Sequence, residues 1–494
     1  MSQYKKFTKD VGIFGIATFL VGLEGFILIP ILTKNLGAFD YGIWSQIKVT
    51  LALIGPLVFF GLNDALIRFL TGTKNEKKIN VEVSTAALFL FISGIFFTLL
   101  IFIFSEQLSL VLLKTVAVAP FFKIASLLLF LRSVSGLFRA VFRFKQKYGL
   151  YSFSTVLLAA ADIILVSFFL LKGMGLRGVL AGFISAQVIT FVFTFILSKK
   201  FYSFVKPSFG SLKNYLSYGT PLIFIPLFHW IFQVGDQYIL GYYHGGSVVG
   251  LYALAYSLSY VLRTLATPIL TILQTSITAA WNQKDIKSFR TYFRYSYKYL
   301  FLILIPAGFG IISLSKPIIL IISTEEFLLA AKILPILVIG ILLFTFVHLS
   351  NMLLRIEKKT KAIRNIFLFL ALCNIILNLI LVPLYSLYGA AIATLITFIF
   401  AAVYSIYIIK KNKMALMPFF LAKSILASIV MSIFVIYARK MHISAVTKLI
   451  IIIPISVIIY FIIMYLLQSF KKEELVFLKN VLLKRGKTKI PKPL

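Results

Sequence analysis

Apolar runs of about twenty residues recur along the whole chain, and no other feature limits its folds as strongly. Crossing a bilayer takes about 20 predominantly apolar residues in one helix. Fourteen segments meet that length, at 11–33, 43–63, 83–104, 115–140, 149–171, 174–198, 215–238, 247–271, 292–313, 327–354, 362–382, 387–409, 416–437 and 446–468. Hydrocarbon offers backbone N–H and C=O groups no partner, so each run has to satisfy its own groups as a helix. The expected fold is therefore an all-α polytopic membrane protein with 14 transmembrane helices. The longest polar connection, 199–214, has sixteen residues, too few for a soluble catalytic domain. Composition agrees: 60% of residues are hydrophobic and 13% charged, against about 25% charged in soluble domains. That excludes a water-soluble enzyme.

The formal net charge is +35, which in a soluble protein would point to nucleic acid. Here the bases lie in short clusters between apolar runs, so they orient the chain and no nucleic acid is expected. Lys and Arg in the N-terminus, alternate loops and tail number 35, and the opposite loops hold nine. Cytoplasmic loops carry the excess of Lys and Arg, so both termini are expected in the cytoplasm of a multi-pass cell-membrane protein with an even number of spans. The first run, led by Lys5, Lys6 and Lys9, reaches Leu32 without an A-x-A-like cleavage site, so a retained span is expected rather than a signal peptide. The single cysteine, Cys373, excludes an intramolecular disulfide and a cysteine-based zinc site. Between Gln468 and Gly486, residues Phe470, Leu475, Leu478, Val481 and Leu482 share a helical face opposite lysines. This reads either as an amphipathic helix on the anionic inner leaflet or as a solvated basic tail.

The chain also matches itself. Gly37-Ala38-Phe39-Asp40-Tyr41-Gly42-Ile43-Trp44 aligns with Gly245-Gly246-Ser247-Val248-Val249-Gly250-Leu251-Tyr252 at an offset of 208. Arg143 aligns with Arg355, and Asp162-Ile163-Ile164-Leu165 with Asn374-Ile375-Ile376-Leu377, at 212. Leu176-Arg177-Gly178-Val179-Leu180 aligns with Leu387-Tyr388-Gly389-Ala390-Ala391 at 211. A near-constant offset over three regions marks a duplication. It equals six spans, so both copies enter the membrane the same way round, as parallel repeats related by an axis along the membrane normal. The expected organisation is an N-lobe at 1–198, a cytoplasmic linker at 199–214, a C-lobe at 215–410, two added spans at 411–468 and a basic tail at 469–494.

An ionisable side chain at the bilayer centre costs about 2.5–3.5 kcal/mol on the insertion scale, so it faces a cavity or a partner. Glu24, Lys48, Lys123, Arg132, Asp162, His229, Asp236, Arg263 and Lys423 occupy such positions. Lys48 and Arg263 are the favoured cations. Lys48 lies about 8 Å inside its span, where snorkelling competes with function; Arg263 lies near mid-span. Lys123, Arg132 and Glu24 complete the candidate headgroup-binding set, and pairing or snorkelling accounts equally well for Lys123, Arg132 and Lys423. His229 reads more simply as a hydrogen-bonded packing residue. Asn374 and Asn378 stand four apart on one helical face, as do Ala390 and Thr394 on the next span. With Asp236, these five could form an oxygen cage for a hard cation. Interhelical hydrogen bonding by the two amides is the competing reading.

Two blocks carry a family resemblance. One is Pro30-Ile31-Leu32-Thr33 with Tyr41-Gly42-Ile43-Trp44 and Gly61-Leu62-Asn63-Asp64-Ala65-Leu66-Ile67-Arg68-Phe69. The other is Tyr218-Gly219-Thr220-Pro221-Leu222, Trp230, Asp236-Gln237-Tyr238-Ile239-Leu240 and Val249-Gly250-Leu251-Tyr252. Over nearly its whole length the chain resembles the polysaccharide (O-antigen-type) flippases of the multidrug/oligosaccharidyl-lipid/polysaccharide exporter superfamily. The resemblance implies translocation of polyprenyl-linked oligosaccharides from the cytoplasmic to the outer leaflet for surface polymers, with polysaccharide polymerase machinery as a neighbour. In the related lipid II flippases, cationic residues on spans 1, 2 and 8 meet the substrate. Lys48 and Arg263 match spans 2 and 8, whereas Glu24 stands where the relative is cationic. Those relatives also place sodium between spans 7, 11 and 12, at positions matching Asp236, Asn374, Asn378, Ala390 and Thr394. Asn378 replaces an acid there and lowers the site's negative charge.

The sequence thus leads to a lipid-linked oligosaccharide flippase working by alternating access, coupled to Na+ or H+ and holding no other cofactor. A multidrug or small-molecule exporter of the same superfamily is the first alternative, opposed by the cleft cations and the two added spans. A membrane glycosyl polymerase or ligase is the second, opposed by short outer loops bearing little beyond Glu325 and Glu326. No Walker A, metalloprotease or nucleophile-elbow pattern occurs, so no enzyme is expected.

Overall fold

The computed structural model describes residues 3–440, 445–470 and 474, and among them the secondary structure is helical, without strands. In order the helices are α1 (Gln3–Phe59), α2 (Leu62–Leu70), α3 (Glu76–Ile103), α4 (Ser105–Leu113), α5 (Ala119–Phe144), α6 (Tyr148–Leu171), α7 (Gly175–Ser198) and α8 (Leu212–Val234). Then come α9 (Asp236–Ser259), α10 (Val261–Asn282), α11 (Ile286–Ser313), α12 (Ser315–Ile322), α13 (Ala330–Ile356), α14 (Thr360–Lys411), α15 (Pro418–Ala438) and α16 (Ala445–Leu466). Eleven helical stretches of the described residues are long and apolar enough to cross a membrane. The expected basic tail helix falls, apart from residues 468–470 and 474, outside the described residues.

Three helices continue through a break. The backbone leaves the helical region at Gly37 in α1 (φ 71°, ψ 176°), at Gly245 in α9 (φ 80°, ψ −177°) and at Ser386 in α14 (φ 50°, ψ −127°). Each break falls in a gap between two expected spans, so three expected connections are sharp bends rather than loops. Positive φ is sterically cheap for glycine alone. The bends also display the duplication. Left-handed residues recur as Gly37 and Gly245, Gly72 and Lys284, Gln146 and Lys358, and Gly175 and Ser386, pairs 208 to 212 residues apart, matching the sequence offsets. Two helix starts carry a side-chain cap. Asn75 Oδ1 accepts from Lys78 N at 3.1 Å to cap α3, and Asp285 Oδ1 accepts from Ser288 N at 2.9 Å to cap α11.

Many large apolar side chains face outward, and small polar ones are buried alongside the apolar core. Leu171, Ile103 and Ile196 are 83%, 64% and 57% exposed, while Ser126, Thr190 and Asn378 are fully buried. Helices that face hydrocarbon associate through small and polar residues, because lipid is as apolar as leucine.

The chain divides into two compact units. The first contains Met1–Ala253, Ile322–Glu326 and Ile375–Ala390. In its core Leu62, Leu66, Leu137, Phe138 and Val141 meet Tyr202 and Tyr215. The connection at 199–214 is docked onto α3: Ser203 N donates to Asn80 Oδ1 (2.9 Å), Val205 N to Ser84 Oγ (3.0 Å) and Ser208 N to Thr85 Oγ1 (3.0 Å). Ser211 Oγ donates to Glu82 Oε2 at 2.6 Å. Polar residues at the start of α3 thus satisfy the backbone of an extended strap.

The second unit contains Leu254–Ile321, Phe327–Asn374 and Ala391–Leu494. There Leu302, Phe420, Ala427, Met431, Tyr460 and Met464 pack α15 and α16 onto α11, and the Tyr460 hydroxyl donates to Leu302 O at 3.0 Å. Lys423 Nζ donates to Leu467 O at 2.7 Å, supplying a cation and a donor to the carbonyl end of α16.

Candidate functional site

The first unit gathers four of the expected charges. Glu24 and Lys48 come from the two arms of α1, Arg132 from α5 and Asp162 from α6. Their charges act on one another, Glu24 with Arg132, Lys48 and Asp162, and Asp162 with Arg132. Asp162 is buried at 6% exposure, Glu24 and Arg132 are half-buried and Lys48 is exposed. Lys48's neighbours Ile47 and Val49 are buried, so this span turns one cation to an accessible face. Along the same helix Leu51, Ala52, Gly55, Pro56 and Phe59 join Leu129 and Arg132 around a cavity of about 340 Å³. A guanidinium at the edge of an apolar hollow, with a lysine one to two turns away, can hold an anionic group above an apolar surface.

Lys123 does not belong to this cluster's ion pairing. Its Nζ lies 3.2 Å from Glu106 Oε1, so an acid on α4 accounts for it. Arg263 opens α10, half-buried, with its guanidinium 5.0 Å from the Tyr260 ring centre. The side chain of His229 lies outside what the structure describes.

All five coupling-ion candidates are buried: Asp236 is 1% exposed, Asn374 1%, Asn378 and Ala390 0% and Thr394 2%. Asp236 accepts a hydrogen bond from the Tyr252 hydroxyl. Asn374 Nδ2 approaches Thr397 Oγ1 at 3.5 Å. Asp236, Asn378 and Ala390 belong to the first unit, and Asn374 and Thr394 to the second. Among the described residues no three His, Cys, Asp or Glu side chains gather as metal ligands.

Hydrogen bonds that the sequence reading did not anticipate join α1 to α8 and α9. Ser45 Oγ donates to Gln237 Oε1 at 2.7 Å and Gln46 Nε2 to Gln237 O at 2.6 Å. Thr50 Oγ1 and Tyr238 Oη share a bond of 2.8 Å, and Trp230 Nε1 donates to Val49 O at 2.9 Å. Ser45, Gln46 and Thr50 are polar residues in one apolar span, and that was the available signal. At the Gly37 bend, Ala38 N donates to Glu326 Oε2 at 3.0 Å. The two copies of the repeated glycine motif meet here reciprocally: a Cβ on Gly42 would lie 1.9 Å from Gly246 O, and one on Gly250 2.0 Å from Ala38 O. Since Gly42 corresponds to Gly250 and Ala38 to Gly246, the contact has pseudo-twofold symmetry.

This is a polytopic helical bundle with a duplicated motif and a charged intramembrane cluster, the fold of known membrane transporters. It resembles the lipid II flippase MurJ in an inward closed conformation (TM-score 0.75, 19% identity, 92% of this chain and 98% of that one). It also resembles an inward-facing multidrug resistance MATE family transporter of the MOP superfamily (TM-score 0.66, 16% identity, 80% and 96%). Among curated proteins it is 23% identical over 392 residues to the probable low-salt glycan biosynthesis flippase Agl15 of Haloferax volcanii, covering 77% of this chain and 78% of that protein. The family model described as polysaccharide biosynthesis protein matches residues 31–332. The chain belongs to that family.

Proposed function

We propose that this protein is a flippase that carries polyprenyl-phosphate- or pyrophosphate-linked oligosaccharide repeat units from the cytoplasmic to the outer leaflet by alternating access, and that it is not an enzyme. The observation that carries this reading is the cluster of Lys48 and Arg132 with Glu24 and Asp162 beside the 340 Å³ hollow. A lipid phosphate leaving the headgroup layer loses hydration, and fixed cations in a wet, half-buried site offset part of that cost. The apolar wall of the hollow takes the adjoining chain. Family membership and the flippases among its relatives support the reading.

In this account all fourteen expected spans cross the membrane with both termini cytoplasmic, and Arg263 supplies a further cation to the headgroup. Glu24 and Asp162 serve coupling: two neighbouring carboxyl groups resist ionising together, so the pair is suited to exchange a proton during the cycle. Asp236, Asn374, Asn378, Ala390 and Thr394 form the alternative coupling site, for Na+. The direct test is competition binding. Purified protein should bind a polyprenyl pyrophosphate and not a lipophilic cationic dye; dye binding alone would assign the chain to the multidrug exporters.

A further inference from the structure

Lys298 on α11 lies apart from the cluster above. It is 4% exposed, its Nζ is 2.5 Å from Glu474 Oε2, and it stands 5.5 Å from the ring centres of both Phe420 and Phe470. An ammonium buried against aromatic rings requires an anion. Among the described residues its acidic partner comes from beyond the last span, 176 positions along the chain.

The donors gathered here exceed what one carboxylate uses. The Tyr299 hydroxyl donates to Glu474 Oε1 at 3.3 Å. Arg294, one turn before Lys298 on the same face, lines a cavity of about 170 Å³ with Tyr295, Gln468 and Ser469. The Ser469 hydroxyl is buried there with no hydrogen-bond partner. A buried, unsatisfied hydroxyl is costly, and a liquid water occupies about 30 Å³, so the cavity has room for a group several times that size. Met417, beside the cavity, and Phe420 and Phe470, beside Lys298, are apolar.

We propose that this cavity is a binding site for the phosphate of an anionic membrane phospholipid, and that Glu474 is the chain's own substitute for that phosphate. Arg294 offers two parallel N–H donors, Lys298 a point charge and Ser469 and Tyr299 hydroxyl donors, while Met417, Phe420 and Phe470 receive the glycerol end of the acyl chains. Phosphate and carboxylate cannot both hold Lys298, so lipid entry displaces Glu474. The segment that follows Phe470 carries eight Lys and Arg residues, charges that an anionic membrane surface attracts.

The test is native mass spectrometry of the detergent-purified full-length chain titrated with phosphatidylglycerol, with inorganic phosphate in a parallel arm. Wild type should retain phosphatidylglycerol and not inorganic phosphate. Glu474→Gln should tighten lipid binding on the order of tenfold, and Arg294→Gln should weaken it similarly, the range of a charge-assisted hydrogen bond. The double variant Lys298→Met with Glu474→Gln leaves no buried unpaired charge, so it should fold and lose the lipid. Equal lipid binding in wild type, Arg294→Gln and the double variant would overturn the proposal and leave the ion pair a tether for the tail. Inorganic phosphate binding as tightly as the lipid would overturn its assignment to a membrane headgroup.

Discussion

Arg132 and Asp162 show how far single residues determine what the first unit can do. An isolated charge at this depth is costly, and a charge among partners is tolerated, so the four-residue cluster holds together only as a set. Arg132→Gln and Asp162→Asn should each lower the unfolding temperature of the detergent-solubilised protein. The double variant should recover part of the loss, with a coupling of about 0.5–3 kcal/mol. Strict additivity would mean that the two groups do not interact. Asp285 gives a pH-dependent counterpart outside the spans. The side-chain hydrogen bond with Ser288, then its backbone N–H, holds the Asp285 carboxyl below its usual range. A depressed carboxyl stabilises the fold at pH above its unfolded value of about 3.9 and loses that contribution as pH falls through the folded value. Protection of the Ser288 amide, after correction for the intrinsic pH dependence of exchange, should therefore fall below about pH 4 and stay level above it.

At the scale of elements, the spans and their duplication were legible because hydropathy and glycine placement are local. Gly37 and Gly245 occupy equivalent positions in the repeat, and both take the left-handed backbone that lets a helix bend without a loop. A β-carbon in that conformation costs about 1–2 kcal/mol, so Gly37→Ala and Gly245→Ala should each destabilise by that amount in thermal unfolding. Gly42→Ala should do more, since its β-carbon would overlap Gly246 O and separate the helices. Equal effects at Gly42 and at Gly25, which has open space around it, would contradict the close crossing. The hydrogen bonds joining Ser45, Gln46 and Thr50 to Gln237 and Tyr238 were not legible. They pair positions about 190 residues apart, and no periodicity announces such a partner. Lys123 illustrates the same gap, because Glu106, its partner, lies on a short helix between two spans.

For the whole molecule, the family was readable from two glycine-rich blocks, and the fold followed from the apolar runs. The candidate site was readable only in outline. Intramembrane charge marked Glu24, Lys48, Arg132 and Asp162, whereas their convergence from α1, α5 and α6 needed three dimensions. The anion site at Lys298 had no sequence signal, since a lysine near a loop on a basic face looks like every other orienting charge. The central claim is that the cationic cluster moves a lipid-linked phosphate between leaflets. Its most direct test is leaflet exchange of a fluorescent polyprenyl-pyrophosphate oligosaccharide in proteoliposomes, comparing wild type with Lys48→Ala and Arg132→Ala. The account predicts exchange by wild type and a loss of at least tenfold in both variants, the removal of one charge-assisted contact to phosphate each. Undiminished exchange in both would contradict it.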